Sequence, residues 1–150
     1  MSVNTEMAGR VYPPAPSYQI GREKIREFAE ATFATHPSHY DVAAAQELGY
    51  EDLVAPSTFA VIIAQKAEAA LVRDPEAGID FSRVVHADER FVYQRPLIAG
   101  MEVTATLSVE RVRAMGTGAM VSTKVSIVDD ATQEEVVEVF SSLLVRGEDQ

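Results

Sequence analysis

The sequence predicts an α+β fold, with helices in the first half and an antiparallel sheet in the second. Two observations predict it. Apolar residues recur at spacings of three and four between residues 22 and 33, and an uninterrupted apolar run, too long for a strand, follows Pro56. After residue 84 the period changes to two, with turn signals at regular intervals.

The elements follow in chain order. Residues 1–17 hold Pro13, Pro14 and Pro16 with little apolar periodicity, so they read as an irregular arm extended against the body. Tyr18–Ile20 reads as a short strand broken by Gly21. From Arg22 to about Phe33, the residues Ile25, Phe28, Ala29 and Phe33 form one face opposite Glu23, Lys24, Glu27 and Glu30, which is an amphipathic helix. Residues 41–48 form a short helical turn, with Asp41 as N-cap and Gly49 as terminator. The next helix runs from about Thr58 to Val72, with Ser57 or Thr58 as its N-cap. Phe59 to Ala64 leave no polar stripe in its first two turns, so protein must enclose it. Four strand-like runs then lie near 85–93, 103–110, 121–127 and 136–145, and they read as an antiparallel meander around that helix.

Bulk composition excludes several classes. The chain has 150 residues, enough for one domain with its own core. It has no cysteine, which removes disulfide scaffolds, thiolate metal sites and cysteine nucleophiles. The formal charge of −10 opposes nucleic-acid binding, which needs phosphates neutralised by Lys and Arg. No stretch is long and apolar enough to span a membrane, and the N-terminus lacks a signal-peptide pattern. The expectation is a cytoplasmic protein. The charge also repels acidic partners at long range, so such a partner would need a local basic patch, for which Arg90, Arg95, Arg111 and Arg113 are the candidates.

The most informative segment is Thr35–Asp41, which leads through Gly49-Tyr50 and Leu53–Thr58 into the apolar helix. It places His36, His39 and Asp41 just upstream of a helix N-terminus with free backbone N–H groups. A metal site there is disfavoured: Pro37 interrupts the segment, helical spacing is absent, and no third strong ligand stands out. No cofactor is expected. His86, near Asp88 and Glu89 at a strand start, reads as a surface or edge residue. Tyr50, Phe59 and Tyr93 read as core residues that could also line an apolar channel. Gly116-Thr117-Gly118 reads as a hairpin turn.

The run Ala34-Thr35-His36-Pro37-Ser38-His39-Tyr40-Asp41, then Ala43–Ala45, Gly49-Tyr50 and Ala55-Pro56-Ser57-Thr58-Phe59, resembles the motif of the MaoC-like hydratase/dehydratase family. Gln94–Gly100 resembles that family's Arg-Pro turn. Gly21–Ala29 resembles its FAS1-like, N-terminal-type branch, which includes the HadA-type subunit of two-chain (3R)-hydroxyacyl-ACP dehydratases. The likeness covers residues 9–146. It implies a hot-dog fold, a long helix wrapped by an antiparallel sheet, over residues 18–147, with 148–150 as a tail. It also implies hydration or dehydration of an acyl-CoA or acyl-ACP thioester. In that chemistry an Asp/His pair moves the protons, and N–H groups at the helix N-terminus hold the thioester oxygen.

The resemblance assigns the family's histidine to His39 and its aspartate position to Ala34, which cannot ionise. His39 is therefore the candidate catalytic residue, and Pro56, Ser57, Thr58 and Phe59 are the candidate substrate-binding residues. The reading is a degenerate subunit that binds substrate or supports a catalytic chain. It would work as a homodimer, or as a heterodimer with a MaoC-like chain carrying an intact Asp/His dyad. One rival is a non-catalytic acyl-CoA or acyl-chain binding module. Another is a hot-dog thioesterase, disfavoured because Glu68, the only acidic residue in the helix, lies three turns in.

Overall fold

The structure is a computed structural model that describes residues 2–148. Met1, and residues 149 and 150 of the expected tail, lie outside the described residues.

Strand β1 is Tyr18–Gln19, followed by α1 (Arg22–Ala31), α2 (Val42–Glu47) and α3 (Ala60–Arg73). Strands β2 (Val84–Tyr93), β3 (Glu102–Met115), β4 (Gly118–Asp129) and β5 (Glu135–Val145) complete the chain. All pair antiparallel in one sheet of order β1-β3-β4-β5-β2. The alternation of buried and half-exposed residues in β3, β4 and β5 turns one face toward α3. There Ile63 and Leu71 join Val125, Val139 and Leu107 in a single core. A helix held in a curled antiparallel sheet is the α+β hot-dog architecture.

Three local expectations need correction. First, β2 leaves the meander. It pairs with β5, not β3, because the link over 94–101 carries the chain across the molecule beside the entry to α3, where Ala55 N–H donates to the Leu97 carbonyl at 2.9 Å. Second, α1 stops at Ala31. Thr32 Oγ1 bonds back to the Phe28 carbonyl at 2.8 Å, and Ala34 N–H reaches the Ala29 carbonyl at 2.8 Å. This is a Schellman turn that puts Phe33 in the left-handed region, φ 58°, with its ring 88% exposed. Third, neither Ser57 nor Thr58 caps α3. The helix begins one residue after Thr58's neighbour Phe59, with no side-chain cap. Bonds such as Val61 N–H to the Thr58 carbonyl, 3.1 Å, tighten the entry instead.

The proline-rich arm is tied down along its length. Gly9, Tyr12 and Ala15 donate backbone hydrogen bonds to Val109, Leu107 and Ala105 of β3. The arm and β1 therefore cover the outer edge of β3. The opposite edge of the sheet, along β2, has no strand beside it among the described residues. An unpaired strand edge is a ready template for another chain.

Candidate functional site

The segment preceding α2 is a short 3-10 turn, Pro37–His39, and its two histidines have different jobs. His36 caps the turn: its Nδ1 accepts from the Ser38 backbone N–H at 3.2 Å. That contact leaves the proton on the opposite ring nitrogen. His39 has the reverse arrangement. Its Nδ1 lies 2.6 Å from the Val54 carbonyl oxygen, which can only accept. The Nδ1–H therefore donates, and Nε2 keeps its lone pair free for another group. Val54 N–H donates in turn to the Ser38 carbonyl at 3.0 Å, so the histidine turn and the lead into α3 are fastened from both sides.

Ala34 lies three residues before that turn, where its N–H closes the end of α1. The Tyr40 hydroxyl donates to its carbonyl at 2.6 Å, and Arg26 Nε donates to the Tyr40 carbonyl at 3.0 Å. This holds the backbone of the position in place while supplying no ionisable side chain. Among the described residues no carboxylate hydrogen-bonds His39. Asp41 is engaged elsewhere, capping α2 through the Ala43 N–H at 3.0 Å. Gly49 closes α2 with φ +92°, the left-handed value its place at the helix end requires.

The four residues assigned to substrate divide by burial. Pro56 and Phe59 are buried, and Phe59 packs edge-to-face on Phe28 with ring centroids 5.5 Å apart. Ser57 and Thr58 are exposed. Sequence reasoning missed the role of Tyr93. Its hydroxyl donates to the Ser57 carbonyl at 2.6 Å. A phenol thus sits on the N-terminus of α3. Burial pushes its pKa up to about 12, against a smaller opposing effect of the Ala60 N–H. No local signal marks Tyr93 for this, because β2 reaches the helix only through the fold.

The basic residues do not form one patch. Arg95 pairs with the buried Asp129 at 2.9 Å, and Arg90 lies over the Phe140 ring at 4.0 Å. Arg90 and Arg111 share a shallow depression with Asp88, Glu89 and Glu110, so its charge is not positive. A cavity of about 740 Å³ opens near Tyr50, Arg95, Ile98 and Met101; His39 is not part of its lining. No helix is long and apolar enough to cross a membrane among the described residues.

Comparison with known proteins agrees with this geometry. The chain is 50% identical over 147 residues to the UPF0336 protein Lxx02810 of Leifsonia xyli subsp. xyli, covering 98% of each. It superposes on a chain of the C-terminally truncated HadBC (3R-hydroxyacyl-ACP dehydratase) complex from Mycobacterium tuberculosis with TM-score 0.83. That match has 32% identity and covers 92% of this chain and 96% of that one. A MaoC-like dehydratase gives TM-score 0.85 at 30% identity over 94% of this chain, which spans 42% of that longer protein. The likeness read from the residues around His39 is thus borne out at the level of family and fold. Residues 6–139 match the family described as FAS1-like, dehydratase domain region, and the chain belongs to it.

Proposed function

We propose that this chain is the substrate-binding or supporting subunit of a 3-hydroxyacyl-thioester dehydratase, working on an ACP- or CoA-linked chain in the cytoplasm beside a partner that carries an intact Asp/His dyad. The observation that carries this reading is the pair His39 and Ala34. The histidine is oriented by Val54 with Nε2 available, yet the position that would supply its carboxylate partner is a methyl group whose backbone Tyr40 holds fixed. General acid–base catalysis by two groups has lost one of them. Tyr93 supports the same reading, since its phenol is fastened to the Ser57 carbonyl at the entry to α3, where a thioester oxygen would be held. The unpaired edge of β2 offers a place for the partner, and dimerisation through it would remove the exposed edge. The HadBC chain that this one resembles comes from a (3R)-hydroxyacyl-ACP dehydratase complex.

The test is hydration of an enoyl thioester by the chain alone and after mixing with a dyad-bearing MaoC-like chain from the same genome. Activity that appears only in the mixture, with the two chains co-eluting, supports the proposal. Full activity of the chain alone refutes it.

A further inference from the structure

The second half of α3 carries a connected set of polar side chains remote from His39. Glu68 lies eight residues beyond Ala60, about 12 Å along the helix axis. It is only 6% exposed. Its Oε1 accepts from Ser141 Oγ at 2.6 Å and, more weakly, from Thr123 Oγ1 at 3.3 Å. Ser141 Oγ also lies 2.9 Å from Glu89 Oε1, and Glu89 Oε2 meets His86 Nε2. The chain Glu68–Ser141–Glu89–His86 thus runs from the helix through β5 to the edge strand β2.

One hydroxyl has one hydrogen, so Ser141 cannot donate to both carboxyls. One of them must bring a proton of its own. Glu68 is the deeper of the two; burial first, and then the nearby charge of Glu89, raise its pKa. Glu68 Oε2 makes no hydrogen bond among the described residues. Yet Glu68 forms part of the wall of a cavity of about 690 Å³ whose other walls include Ala69, Val72, Ile79 and Leu143. Gln65, Arg73, Phe81 and His86, the exposed members of the lining, mark its open side.

We infer that this cavity binds a neutral aliphatic chain bearing one hydroxyl or carbonyl group, which docks on Glu68 while the chain lies along Ala69, Val72 and Ile79. The volume is that of a small-molecule pocket, mainly apolar with few convergent polar groups. Glu68 Oε2 is open to the cavity rather than sealed in the core, so it can take a hydrogen bond from a ligand lying along the apolar walls. A hydroxyl can donate or accept, so it fits whichever oxygen of Glu68 holds the proton. A carboxylate head would face Glu68 and Glu89, and an ammonium would face Arg73, which also lines the cavity. The site shares no residue with the His39 turn and does not depend on the dehydratase reading. The ligand is either a free chain or the distal part of an acyl thioester.

The experiment titrates the full chain with 1-decanol by calorimetry, with decanoate and decylamine as charged counterparts. Saturable binding of one decanol per chain is expected, with both charged ligands weaker by ~tenfold or more. Glu68→Leu, which keeps the volume but loses the polar head, should weaken decanol by ~fivefold or more, and Glu68→Gln should retain it. Ala69→Trp fills the cavity from α3 without touching the polar chain and should abolish binding; it also carries the test should Glu68→Leu fail to fold. Competition between decanoyl-CoA and decanol would identify the ligand as the tail of a thioester, and its absence would identify a free chain; both outcomes uphold the site. The inference is overturned if the parent shows no saturable decanol binding, if either Glu68→Leu or Ala69→Trp leaves decanol affinity unchanged, or if decanoate or decylamine binds more tightly than decanol.

Discussion

The Nδ1–H of His39 donates to the carbonyl oxygen of Val54 across 2.6 Å, and this bond fixes both the tautomer and the direction of the ring. A histidine held this way presents Nε2 as an acceptor. On the proposed reading, that is one half of an acid–base pair, with Ala34 at the position of the other. If a tunnel for substrate persists, Ala34→Asp should raise enoyl-thioester hydration by the isolated chain, within the ~10²–10⁴-fold that one positioned acid or base contributes. His39→Ala in the same background should remove the gain. A steady-state assay on crotonyl-CoA checks both, and no gain from Ala34→Asp would show that the site no longer accepts substrate.

The buried face of α3 sets the fold's tolerance. Ile63 is 1% exposed and packs in the core with the sheet. Ile63→Asp buries a carboxylate without a partner, a cost of several kcal/mol against a typical total of ~5–15. Loss of soluble protein, or of cooperative melting, is the expected outcome. An unchanged melting temperature would contradict the core assignment.

The strained turn after α1 predicts a stabilising change. Phe33 has φ 58° and an 88% exposed side chain, so it bears left-handed strain with little burial to offset it. Phe33→Gly should raise stability by roughly 0.5–1 kcal/mol, less the extra freedom glycine has in the unfolded chain. Chemical denaturation at matched conditions reads the difference directly.

Met7 tests whether the N-terminal arm is structural. It is 1% exposed within the core, although it lies in a segment of poor apolar periodicity. Met7→Ala should cost about 2–5 kcal/mol, as in other fully buried positions. Removal of residues 2–16 should do more, because it uncovers the edge of β3 and invites strand pairing between chains. Light scattering on the truncated protein should show assembly beyond that of the parent.

Acid stability should depend on Tyr12. Its hydroxyl donates to Asp74 Oδ2 at 2.6 Å and is the largest cause holding the Asp74 pKa below the usual aspartate value. A carboxyl with a folded pKa below its unfolded one contributes stability above the unfolded value and loses it as pH falls through the folded value. Tyr12→Phe should therefore lower stability at neutral pH and shrink the difference between pH 7 and about pH 3. An identical pH profile in parent and variant would show that the bond contributes nothing.

The sequence alone determined the order of elements, the family, and the placing of Ala34, a residue that cannot ionise, five positions before His39. These depend on periodicities and motifs contained in short windows, such as Ile25, Phe28 and Ala29 on one face of α1, or the alternation from Val103 to Val109. The tertiary structure decided what links distant windows. It placed β2 beside β5 at the far edge of the β3-β4-β5 meander, laid the arm on β3, put Tyr93 at the N-terminus of α3, and joined Glu68 to Ser141 and to the Glu89–His86 pair on β2. It also ended α1 before Phe33 by a backbone turn that the apolar pattern does not encode. The physical reason is range. Side-chain periodicity reports which face of an element is buried, whereas the partner of a buried hydroxyl or carboxyl is set by strand register and crossover, which are fixed only when the whole core packs.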